Sequence, residues 1–169
     1  MSKKLLSFLA AIFILISCAS KDEKLQTIKD YVAKISSETK IEDGFDLIKV
    51  EGEKRAIYRA YYQEEELVFI NENLDIGIRG KSSNRYFFRH NELVYYSEQT
   101  ILLYDDSLKI NKKTMLKSDI YFDGANVLES ERIISGTVTP LSDKENLSII
   151  EHSKVLKELA DLNKPLDKK

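Results

Sequence analysis

Tryptophan is absent from this 169-residue chain, and it holds one cysteine, two histidines, two prolines and six glycines. A single cysteine excludes an internal disulfide framework and any multi-cysteine metal site. The histidines, His90 and His152, fall in different element types and make no H-x-x-x-H or H-E-x-x-H spacing, so no metal signature is present. So little proline and glycine leaves no room for a low-complexity linker. An excess of one charge is also missing: 26 basic residues stand against 28 acidic ones, a net −2, which is no footprint for nucleic acid. The longest apolar run, Leu5 to Ile16, makes only about 18 Å of helix against roughly 30 Å of hydrocarbon. What is there, 43% hydrophobic and 32% charged, is the composition of one folded domain.

The amino terminus is an address. Lys3 and Lys4 precede the apolar run, which closes on Leu15-Ile16-Ser17-Cys18. That tetrad resembles the lipobox of bacterial lipoproteins: aliphatic, tolerant, small, then cysteine. The resemblance implies that residues 1–17 are removed and that the Cys18 thiol carries a diacylglyceryl group, with a further acyl chain on its new amino group. Two or more chains make membrane attachment effectively stable. An unpaired exposed thiol in an oxidising compartment would be a liability, which argues against an ordinary secretory signal. Ala19 and Ser20 carry no charge after the cysteine, which by analogy with enteric bacteria favours the outer membrane, facing the periplasm. Cleavage takes away two lysines and no acid, so the working chain has a net charge of −4 and gains nothing from an anionic bilayer surface.

Behind the anchor (18–20), residues 21–163 read as one α+β domain, and 164–169 as a frayed tail. Ser20-Lys21-Asp22-Glu23 has capping-box spacing, and Leu25, Ile28, Val32 and Ile35 place one apolar stripe on a helix ending near Ser36 or Ser37. From Phe45 to Ile134 the composition is that of strands. A weak repeat runs through it, in which two aromatics, four mostly polar residues and two aliphatics recur at Tyr61–Val68, Phe87–Val94 and Tyr121–Leu128. Each copy reads as strand, tight turn, strand, so three hairpins imply an antiparallel meander of seven or eight strands, wide enough to curl into a partial barrel. Gly77–Asn84 and Asp105–Lys117 read as longer connections. A second box, Ser142-Asp143-Lys144-Glu145, opens a C-terminal helix with Leu147, Ile150, Val155, Leu156, Leu159 and Leu162 as its apolar residues. One or both helices are expected to pack on one face of the sheet.

Catalytic and cofactor motifs do not emerge. There is no G-x-S-x-G elbow, and Gly77-Ile78-Arg79-Gly80-Lys81-Ser82 lacks the spacing of a phosphate loop. Glu64-Glu65-Glu66 and Asp105-Asp106 read as charged turns that keep hairpin tips soluble. Adjacent aromatic pairs must point to opposite faces of a strand. With one face covered, the other would expose a stripe of Tyr61 and Phe87 beside Arg59, Arg85 and Arg89, residue types enriched at binding hot spots. That stripe is the expected binding face for an envelope protein or a glycan.

The segment from Arg59-Ala60-Tyr61-Tyr62 through Glu72 and on to Tyr86-Phe87-Phe88 and Leu93-Val94-Tyr95-Tyr96-Ser97-Glu98 resembles small lipoproteins of Gram-negative bacteria, and more loosely MORN-like hairpin repeats without their regular glycines. The resemblance implies an envelope address and no activity. A non-enzymatic partner-binding or accessory module, without cofactor or metal, is the expectation. An inhibitor of a cell-wall hydrolase, or a hydrolase working through paired carboxylates, are the alternatives.

Overall fold

The computed structural model describes residues 20–39, 44–51, 54–104 and 112–165. Leu15, Ile16, Ser17 and Cys18 lie outside the described residues, as do Asp105-Asp106 and the last four residues. Helix α1 (Lys21–Glu38) precedes eight strands: β1 (Phe45–Glu51), β2 (Lys54–Gln63), β3 (Glu66–Asp75), β4 (Gly80–Arg89), β5 (Glu92–Tyr104), β6 (Lys112–Asp123), β7 (Asn126–Ile134) and β8 (Thr137–Val138). Helix α2 (Asp143–Asn163) follows. The strands pair antiparallel in chain order, giving one open eight-stranded meander that does not close.

Both helices begin as their sequences dictate. Ser20 and Ser142 each accept from the backbone N–H three residues on, while Glu23 and Glu145 reach back to the capping residue's own N–H. The stripe on α1 holds, with Ile28 and Ile35 buried. On α2 the buried positions are Asn146, Ser153, Leu156 and Ala160, whereas Leu147, Val155 and Leu162 are exposed. The small Ser153 and Ala160 let α2 lie close to the sheet, while Ile149, Ile150, Leu156 and Leu159 supply its apolar contacts.

The repeat is realised as the hairpins β2–β3, β4–β5 and β6–β7. Glu64-Glu65 and His90-Asn91 take positive φ at both turn residues (46° and 74°, 52° and 66°), the type I′ geometry that matches strand twist, and Gly124 (φ 60°) serves the third. Each hairpin carries one register shift, at Tyr61/Tyr62, Phe87/Phe88 and Tyr121/Phe122. The residue left without a partner is the last aliphatic of the repeat: Val68, Val94 and Leu128.

Those bulges divide the repeat between two cores. Tyr61, Phe87, Val68 and Val94, with Tyr121 and Leu128, pack under α1 against Ile28, Tyr31, Val32 and Ile35. Phe88, Phe122, Leu67 and Leu93, with Tyr62 and Val127, lie on the other face under α2 against Leu156 and Ala160. The helices therefore cover opposite faces of the sheet rather than one, because every repeat presents apolar side chains both ways. The connections are also shorter than the sequence implies. Only Gly77–Arg79 is a turn of 3-10 helix, and Gly80–Asn84 already belongs to β4, while Lys112–Lys117 belongs to β6.

Candidate functional site

Register arranges the α1-facing side chains in rows across the sheet. The first row is an aromatic ladder, Tyr61, Phe69, Phe87, Tyr95 and Tyr121, on five successive strands. Neighbouring ring centroids lie 5.2, 4.6, 5.5 and 4.7 Å apart, within the range of favourable aromatic pairs. Helix α1 lies over this ladder. Lys24 pairs with Asp123 at 2.7 Å, Lys29 sits 5.1 Å above the Tyr121 ring, and the Tyr31 hydroxyl donates to the Phe88 carbonyl. Burial raises the Tyr31 hydroxyl to about 12, so it stays a donor.

The expected binding face is thereby closed. Tyr61 and Phe87 are only 6% and 2% exposed, as core beneath α1. Arg59 forms an ion pair with Asp46 on the neighbouring strand, and the Arg89 guanidinium lies 5.9 Å from the Tyr31 ring. Arg85 alone of the five is exposed. It belongs to the next row, Arg59, Asn71, Arg85, Ser97, Asp119 and Glu131.

From the following row on, further from the hairpin tips, the same face is open. It forms a trough of about 1270 Å³ that spans β2 to β7. One row contributes Ile57, Asn73, Ser83, Gln99, Lys117 and Ile133, and the next Arg55, Asp75, Lys81, Ile101 and Met115. Leu103 and Lys113 follow at the end of the β5–β6 pair. Leu103 and Met115 are 51% and 55% exposed, unusual for large apolar side chains in the middle of a sheet. Among the described charged lining residues four are cations and one, Asp75, is an acid. Gly80 lets β4 enter this face: at φ 134° a Cβ there would stand 2.0 Å from the Ile101 carbonyl oxygen.

The α2 face holds a second polar feature. Glu72 is 1% exposed. Its Oε2 accepts from Asn84 Nδ2 at 2.9 Å and from the Tyr86 hydroxyl at 2.8 Å, and its Oε1 meets His152 Nε2 at 3.0 Å. Burial by itself would raise this carboxyl, but the hydrogen bonds and the charge of His152 outweigh it and hold Glu72 below its ordinary value. Ser82, Thr100 and Glu98 continue the chain of hydrogen bonds across the next strands. This arrangement ties α2 to the sheet. His90, by contrast, occupies an exposed hairpin tip.

Sequence reasoning missed both features. Lys81, Ser83, Lys113, Met115 and Lys117 fell in stretches read as loops, although their i, i+2 spacing is that of one strand face. Glu72 gave the fainter signal of one acid between Ile70 and Leu74 on an apolar parity. No family model matches the chain, and no curated protein or solved structure matches it.

Proposed function

We propose that this chain is a lipid-anchored module of the cell envelope that works by binding, with the trough as its binding site. The observation that carries the reading is the contrast along one sheet face: sealed under α1 at the hairpin end, open, concave and mostly apolar at the other. Such concave sites with apolar lining and a few polar groups are the usual places where ligands are held. The lipobox ending at Cys18 supports the address, and a membrane, through that lipid, is the first partner. Among the described lining residues Asp75 is the one carboxylate, so the described part of the trough offers no pair of acids of the kind the hydrolase alternative needs.

Two experiments test the two halves. Replacing Cys18 with Ala should leave the precursor unprocessed and free of lipid label, and membrane fractionation of a normally processed Cys18→Ala chain would refute the anchor. A photoreactive amino acid in place of Met115 should capture an adduct in intact cells, while the same residue in place of exposed Leu162 on α2 should not. Equal capture at both positions, or none at Met115, sinks the trough as the site.

A further inference from the structure

We propose that the trough takes a single-chain anionic amphiphile, a hydrocarbon chain ending in a carboxylate or phosphate, that arrives from the aqueous compartment. The inference rests on the binding role just described and names its ligand. Size is the first argument. The open trough's volume of about 1270 Å³ admits a single acyl chain with water beside it, so its outline bears more on the ligand than its volume does. Five inter-strand spacings from β2 to β7 give about 24 Å, the outline of a long ligand rather than a compact one.

Lining chemistry is the second. Ile101, Leu103, Met115 and Ile133 form an apolar floor on β5, β6 and β7, and an acyl chain laid on them leaves water along with the floor. Arg55, Lys81 and Lys113 make no ion pair among the described residues, and Lys117 stands 3.8 Å from Asp119. Asp75, the one acid among the described lining residues, lies between Arg55 and Lys81 in its row and is engaged by the Gly77 N–H at 2.9 Å. Cations are thus gathered at one concavity of a chain whose net charge is negative, which selects an anion. Lysine stems can line the floor while their ammonium groups stay at the rim to meet a head group. A glycan or a nucleobase would need an aromatic platform, and the aromatic row is sealed beneath α1.

Placement decides the source. Lys24, four residues into α1, is fixed to Asp123 at the tip of β6, and the trough residues Lys117 and Lys113 lie six and ten residues further down that strand. At 3.3 Å per residue they are about 20–33 Å from the tip. Cys18 precedes the α1 cap by two residues, at most about 7 Å of chain, so the acylated residue is tied to the hairpin end. The anchor therefore enters at the hairpin end and the trough opens about 20 Å or more away from it, which favours loading from water.

The full lipidated chain in phosphatidylcholine nanodiscs, titrated with the fluorescent carboxylate dansyl-undecanoate, tests this. Saturable one-site binding above empty nanodiscs is expected. Competing carboxylates should tighten about fourfold per added methylene until the trough is filled. Dodecyltrimethylammonium should compete at least about tenfold more weakly than laurate, and either Met115→Glu or the pair Lys81→Glu and Lys113→Glu should weaken the probe by about tenfold or more. All three positions are exposed, and an unchanged circular dichroism spectrum and melting temperature verify the fold. No binding above empty nanodiscs, equal competition by the ammonium, or unaltered binding by the variants overturns the proposal. Displacement of the probe by phosphatidylglycerol in the nanodisc overturns the aqueous source. Cross-linking at Met115 separates the two levels: a protein adduct without probe binding refutes the ligand but keeps the trough, whereas neither adduct nor binding removes both.

Discussion

Glu72 shows how one side chain can hold a helix in place. It accepts three hydrogen bonds, two of them on Oε2, and the bond from His152 is the one that crosses from sheet to α2. A buried acceptor stripped of its donor costs about 1–3 kcal/mol. His152→Ala is therefore expected to lower the unfolding free energy in urea by that amount, while His152→Gln, which keeps an amide donor, recovers part of it. An alanine variant as stable as the parent would mean that Glu72 Oε1 is satisfied by water. The same residue also shows the limit of composition: one glutamate in a chain with 28 acids has no mark in the sequence beyond its parity.

At the scale of elements, α2 begins at a capping box with an added ion pair. Arg132 Nη1 donates to Glu145 at 2.5 Å, and the Ser142 backbone N–H donates to the same carboxylate at 2.8 Å. The Ser142 backbone, then Arg132, holds the Glu145 carboxyl down at about 2. Since the folded value lies below the ordinary 4.5, the stabilisation is complete above about pH 4.5 and is lost as the pH falls toward 2. Stability measured across that window should fall more steeply for the parent than for Glu145→Gln, and parallel curves would contradict the assignment. The boxes at Ser20 and Ser142 were legible because a cap needs only neighbours in the chain. The three hairpins were legible for the same reason. Which face each helix covers was not, since that depends on bulges at Val68, Val94 and Leu128, where one extra residue changes the parity of everything before it.

For the whole molecule, two cores share one sheet, and every repeat contributes to both. Neither helix can leave without exposing side chains whose backbone also frames the other core. Unfolding in denaturant should therefore be one transition, with far-ultraviolet and tyrosine near-ultraviolet dichroism sharing a midpoint; two separated midpoints would show independent layers. The meander and both helices could be read from the chain, but the trough could not. The Tyr61 and Phe87 stripe follows from alternation only if one face is bare, and sequence alone does not say where α1 crosses the strands. The trough exists because α1 covers the hairpin end and stops. The bulged hairpin has one more consequence, for descent rather than for stability. Because each copy gives a matched pair of side chains to each core and bonds only to its neighbours, inserting or losing a whole copy widens or narrows the sheet without altering the chemistry of either layer. Such a chain can vary its length in steps of one hairpin, and the span of its trough varies with it.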